Sequence, residues 1–218
     1  MLTDVPGPRV ETYFLPGPAG RLECFLKRPA QGHPSGAAAV VCHPHPLFGG
    51  TMHNKVVHAA SEALVRLGLP ALRFNFRGAG RSAGRHDGGR GEQEDLLAVL
   101  DEAGRRFPGA PLVIAGYSFG AFVGLLVGRD DDRVPALIGL GAPVGLYNFG
   151  FLRDCEKPVF LIQGESDPLA PLGLVLTLAA MLPHGARVLP IAGANHGFDD
   201  HLEEVGQRVA QAIGWWYR

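Results

Sequence analysis

Cysteine is scarce in this chain. Among 218 residues only Cys24, Cys42 and Cys155 occur. An odd number at wide spacing excludes a disulfide framework and a zinc-binding spacing, and it makes a reducing cytoplasm the expected setting. Charge of one sign is missing as well. The formal net charge is −1 and both signs are mixed along the chain, so nothing electrostatic points to nucleic acid or to an anionic membrane surface as a partner. Long hydrophobic runs are absent. The stretch LGLVLTLAAML, beginning at Leu172, is too short to cross a bilayer. The opening MLTDVPGPRVETYF has neither the basic nor the apolar region of a signal peptide. There is no internal repeat, low-complexity tract or linker. What remains, with 46% hydrophobic and 19% charged residues, is the composition of a globular protein with a sizeable core, expected as one domain over residues 1–218.

The hydrophobic pattern divides this chain into alternating elements. Two extended segments around PGPAG predict a β-hairpin with its turn at Gly17 to Gly20. AAAVVCHPH is a continuous apolar run stopped by prolines, the pattern of a strand buried on both faces. NKVVHAASEALVRLG has apolar residues at helical spacing and ends at Gly68. EQEDLLAVLDEAGRRF is a helix with acids in its first turn and arginines in its last. PALRFNF, PLVIAGYS, VPALIGLGAP, KPVFLIQG and ARVLPIAG predict further strands, with helices between them and a closing helix at HLEEVGQRVAQAIGWWY. Strand following helix following strand predicts a doubly wound α/β fold. Its mostly parallel sheet has about eight strands with the hairpin included, and helices cover both faces.

In such sheets ligands bind beyond the carboxyl ends of the strands. Those ends read HPHPLFGG, RGAGRS, YSFG, GAPVG, GESDP and GANHGF. Three of them supply Ser118, Asp167 and His196. Taken singly, each has an ordinary reading as a turn or surface residue. Together they lie on one edge of one sheet, in the chain order of one convergent nucleophile–acid–base set. Ser118 sits in GYSFG, a G-x-S-x-G between strand and helix. There a sharp turn lifts the hydroxyl above the sheet beside a helix N-terminus that favours negative charge, and glycine on either side avoids collision.

The elbow GYSFG, the RFNFRGAGRS loop, GESDP and GANHGF resemble segments of the α/β-hydrolase superfamily over nearly the whole chain. HPHPLFGG and the short length are similar to small uncapped bacterial serine hydrolases near the dienelactone-hydrolase-like group. Dienelactone hydrolases proper carry cysteine at the elbow, so their lactone substrate is not carried over. The resemblance implies a serine hydrolase with catalytic Ser118, His196 and Asp167, no lid domain, no cofactor and no metal. Asp167 matches the family's acid position, with Glu165 as competitor. Asp199 and Asp200 follow His196 too closely to orient it and are expected to cap the last helix. An oxyanion hole requires two N–H donors. One is expected at Phe119, after the nucleophile. Pro44 and Pro46 have no N–H, which leaves His45 or Leu47. The likeness of HPLFG to the family's H-G-x-x-G loop favours Leu47.

Other features have structural readings. His43 and His45 shape their loop, because no carboxylate completes a metal site. Arg77 braces the active-site loop, RDDDR at Arg129 to Arg133 is a solvated helix end, and GWWYR packs the last helix on the sheet. VGLYNFGFLRDCE is too short to hold a lid. The site is therefore expected to be open, edged by Leu47, Phe48, Tyr117, Phe119, Val144 and Leu169, and suited to a small-molecule acyl ester with an apolar, short to medium acyl group. A monomer or a homodimer is expected, with no nucleic acid or membrane partner. The contrasting class is a binding protein that keeps the fold without the chemistry.

Overall fold

The computed structural model describes residues 7–218; the first six, part of the stretch read above for a leader, lie outside the described residues. The predicted hairpin is present as β1 (Arg9–Gly17) and β2 (Gly20–Arg28), paired antiparallel with Gly17 opposite Gly20. The rest alternates as β3 (Ala38–Cys42), α1 (Lys55–Arg66), β4 (Ala71–Phe74), α2 (Arg90–Arg106), β5 (Leu112–Tyr117), α3 (Phe119–Gly128), β6 (Ala136–Leu140), β7 (Val159–Gly164), α4 (Leu172–Ala180), β8 (Arg187–Ile191) and α5 (Leu202–Trp216). They form one eight-stranded sheet in the order β1-β2-β4-β3-β5-β6-β7-β8. The hairpin joins antiparallel, through β2 and β4, and every later pairing is parallel.

Burial explains the apolar runs. Every residue of β3, β4, β5, β6 and β7 is buried, because helices cover both faces. One core gathers side chains of α2, α3 and α4 under the sheet, and the opposite core gathers those of α1 and α5. Trp215 of GWWYR stacks on Phe160 of β7, as expected for a helix packed on the sheet, and the Arg187 guanidinium lies over the Trp215 ring. The three cysteines are free and buried. Among the described residues no helix is long and apolar enough to cross a membrane.

Two expectations need correction. RDDDR is not simply solvated: Arg133 pairs with both Asp131 and Asp101, and Lys157 reaches the carbonyls of Gly128 and Asp131. Asp199 and Asp200 do not cap α5. Its N-cap is His201, with no side-chain cap, while Asp199 pairs with Lys55 and Asn195. Asp200 instead occupies a left-handed turn at φ 62°.

The strand order fixes where a ligand can lie. From β3 the chain moves outward to β4, then α2 carries it back past β3 to β5. The direction of winding reverses between β3 and β5, which opens a crevice beyond their carboxyl ends. Cys42 is in register with Gly116, so the loops 43–50 and 117–119 leave the sheet side by side.

Candidate active site

The turn at Ser118 is forced by contacts on both sides. Ser118 has φ 54° and ψ −119°, a conformation an L residue holds only when its surroundings over-determine it. Its N–H donates to the Leu140 carbonyl of β6, and its own carbonyl accepts from the amides of Ala121 and Phe122. A Cβ at Gly116 would fall on the Gly120 carbonyl, and one at Gly120 would come within 2.5 Å of the Cys42 and His43 carbonyls. Both glycines of GYSFG are thus required by close backbone approach. Phe119 is the first residue of α3, so its amide is one of those with no carbonyl one turn earlier to accept it.

Ser118, His196 and Asp167, from three different strand ends, meet. His196 Nε2 lies 2.9 Å from Ser118 Oγ, and His196 Nδ1 lies 2.7 Å from Asp167 Oδ2. An ionised carboxylate only accepts, so Nδ1 carries the proton, and Nε2 is left to accept from the serine hydroxyl. Asp167 is buried and fully engaged. Its Oδ2 also accepts from Gln163 Nε2 at 2.9 Å, and its Oδ1 accepts from the amides of Leu169 and Ala170 at 2.8 and 3.1 Å. Burial opposes its charge, but the hydrogen bond and charge of His196, with Gln163 and the Leu169 amide, outweigh that and hold the carboxyl below its ordinary range. Glu165 is exposed, while its backbone N–H bonds Ile191; the competing acid is not in the cluster.

Gln163 is a site residue the sequence reading missed. A lone amide inside the apolar run VFLIQG must find a buried partner, and that was the available signal. Tyr117 has a different place from the one expected. It is 5% exposed, and its hydroxyl donates to the His196 carbonyl at 2.9 Å, so it braces the histidine loop from below and does not edge the opening. The Phe119 ring is buried too, against His45, Phe76, His86 and Tyr147. Leu47 and Phe48 stand open, 71% and 86% exposed, with Val144 half-buried and Leu169 at the surface.

The loop after β3 is held by its histidines. His43 is fully buried. Its Nδ1 lies 2.6 Å from the Pro44 carbonyl and its Nε2 accepts from the Phe76 amide at 2.9 Å. Only the neutral ring protonated at Nδ1 satisfies both, and burial pushes this imidazole down to about 4. His45 caps a short 3₁₀ turn over Pro46–Phe48, its Nδ1 accepting from the Leu47 amide at 3.2 Å. The Leu47 N–H, the expected second donor, is therefore engaged within its own turn. The His45 amide donates to no group among the described residues. Arg77 braces the neighbouring loop as expected: its guanidinium grips buried Asp95 and its amide bonds the same carboxylate. A second acid–imidazole contact, also unread in the sequence, stands beside His45. His86 Nδ1 is 2.8 Å from buried Glu92, and the two imidazole centroids are 4.4 Å apart.

Residues 38–213 match the model of the alpha/beta hydrolase domain family. An uncharacterized protein of Rickettsia prowazekii is 34% identical over 205 residues, covering 90% of this chain and 85% of its own. Two solved structures are similar throughout. An alpha-beta serine hydrolase homologue from Coxiella burnetii has 37% identity and a TM-score of 0.87, covering 92% of this chain and 96% of that one. A lidless α/β serine hydrolase of Xanthomonas campestris has 33% identity and a TM-score of 0.88, covering 95% of each chain. A strained serine between two indispensable glycines, on this sheet and among these relatives, places the chain in the alpha/beta hydrolase domain family.

Proposed function

We propose that this protein is a serine hydrolase that cleaves small carboxylic esters through an acyl-enzyme on Ser118. The observation that carries the reading is the unbroken relay from Ser118 Oγ through His196 to Asp167, at 2.9 and 2.7 Å. In this reading Ser118 Oγ attacks the ester carbonyl carbon while His196 Nε2 takes its proton. Asp167 keeps the imidazole in the productive tautomer and stabilises the imidazolium. The negative oxygen of the tetrahedral intermediate accepts from the Phe119 amide at the start of α3. The second donor is the His45 amide, which replaces Leu47 because the Leu47 amide already bonds His45 Nδ1. Collapse of the intermediate breaks the bond to the leaving oxygen, which takes the proton from His196. Water then attacks the acyl carbon with His196 again as base, and the released serine oxygen recovers the proton.

Labelling with a fluorophosphonate, with the modified peptide mapped by mass spectrometry, tests this. Stoichiometric modification at Ser118, lost in Ser118→Ala and much slowed in His196→Ala, is expected. A folded wild-type protein that does not label would overturn the reading and favour a binding protein of the same fold. Thioesters and amides react through the same intermediate, so they belong in the substrate panel that follows.

A further inference from the structure

Residues 134–152 and residues 168–183 carry no charged side chain. They contribute the facing walls of one groove. Val144, Tyr147 and Phe149 come from the connection after β6, and Leu174, Leu178 and Met181 come from α4 and the residue after it. The groove has a volume of about 240 Å³. A surface helix ordinarily turns a polar face to water, but α4 turns out Leu174 and Leu176, each about half exposed, with Met181 following.

The groove lies beside the site described above and is joined to it through Val144 and Tyr147. Gly145, beside Val144, donates its amide to the Leu169 carbonyl, and the Leu169 amide in turn bonds Asp167. Tyr147 stacks on Phe122 and touches Phe119, the residue after the nucleophile. At the other end the groove meets its first charge: Arg153 Nη2 lies 3.5 Å from Met181 Sδ. From Leu174 to Met181 the helix path advances about 10 Å, enough for an extended alkyl chain of about eight carbons.

We infer that this groove holds the acyl chain of the substrate, with Val144 at the carbonyl end and Met181 under Arg153 as its far stop. The preferred substrates are then medium-chain acyl esters. The inference rests on the proposed Ser118 chemistry. It accounts for an apolar helix face beside an open site: the chain covers Leu174 and Met181, each about half exposed, only while substrate is bound.

The test is the ratio of kcat/KM for p-nitrophenyl octanoate to that for the acetate, in four proteins whose folding is checked by circular dichroism. Wild type should favour octanoate by at least about tenfold, since each added methylene finds apolar wall. Thr177→Trp, at an exposed position of the groove wall, should reduce that ratio at least about tenfold. Met181→Ala should move the optimum to a longer chain. Leu97→Gln, an exposed leucine on α2 away from the groove, is the control and should keep the wild-type ratio. Octanoate should also bind Ser118→Ala in calorimetry, and this binding should disappear when Thr177→Trp is added. A flat chain-length profile that ignores Thr177→Trp and Met181→Ala, in a protein that labels at Ser118, overturns the groove and leaves the hydrolase reading standing. Absence of labelling overturns both. A dimer whose contact occludes α4 at assay concentrations would also overturn the groove, by giving its apolar face a permanent cover.

Discussion

The two sides of the nucleophile are built differently. On one side, Asp167 and His196 have their ring and carboxylate atoms held by named partners: four hydrogen bonds end on the carboxylate, and Tyr117 supports the histidine loop from within the core. On the other side, the 44–50 turn shows Leu47 and Phe48 to solvent, and its ties end on backbone: His43 Nδ1 bonds the Pro44 carbonyl, the Leu47 amide donates to His45 Nδ1, and the amides of Phe48 and Gly50 donate to the His45 carbonyl. A group that works through its side chain needs that side chain fixed in orientation and protonation. A group that lends only a backbone amide needs only its backbone fixed. The first side is therefore over-determined, and the second leaves its side chains free to meet substrate.

Four experiments can break or sharpen this contrast. The largest effect is expected from Asp167→Asn. An amide there can donate to Nδ1's side of the relay and stabilise the wrong tautomer, so kcat for ester hydrolysis should drop about 10³- to 10⁴-fold in a protein that still folds. Retention of more than a tenth of the activity would mean the tightly bonded side is not the working one.

Next in size is a pair at His45, whose φ of −56° already suits proline. His45→Pro deletes the amide and should lower kcat about 10²- to 10³-fold, the effect of losing one oxyanion donor. His45→Ala deletes the cap but keeps the amide, and should lower kcat less than about tenfold. Equal losses in the two variants would show that the ring, and not the amide, matters.

The third concerns acid stability. Burial lowers the His43 imidazole from 6.5 to about 4 in the folded protein. Between these values the unfolded chain holds a proton that the folded one does not, so stability is complete above about pH 6.5 and falls as pH drops toward 4. At pH 5 the loss is about 2 kcal/mol, readable as a lower urea midpoint. In His43→Gln that slope should flatten. Asp167 has the opposite chemistry and a separate window: its lowered carboxyl contributes stability above its ordinary range and loses it only as pH falls further.

The smallest effect is expected from Tyr117→Phe, which removes only the hydroxyl bonded to the His196 carbonyl. Thermal unfolding should register about 1 kcal/mol, with kcat reduced a few-fold. A loss comparable to that of Asp167→Asn would place Tyr117 among the reacting groups.

The element order and the meeting of Ser118, Asp167 and His196 were legible in the sequence because they follow from short-range signals. Apolar runs ended by glycine and proline mark the strands, and the loops after parallel strands share an edge by topology alone. The errors fall where a distant partner decides. Asp199 was read as a cap, but Lys55, far away in sequence, takes it. Tyr117 was read as an edge of the opening, but its strand is buried on both faces and its hydroxyl finds the His196 carbonyl. Leu47 differs in kind: its partner is local, the His45 ring two residues earlier, which accepts from its amide within the same short turn. No periodicity encodes such pairings. Gln163 is the exception, since a polar side chain within a buried apolar strand announces that a partner exists even when it does not name it.

The three buried thiols give this fold built-in clocks. Cys24 lies in the middle of β2, Cys42 ends β3 beneath the elbow, and Cys155 follows the short turn after β6. Burial pushes the Cys24 thiol up to about 12 and the Cys42 thiol higher still, so neither offers thiolate to a reagent while the native packing lasts. Alkylation must wait for a local opening, and its rate counts how often each layer breathes. The layer under Ser118 should be the slowest of the three to open, and an inhibitor bound covalently at Ser118 should slow Cys42 most while leaving Cys24 in the hairpin nearly at its own pace.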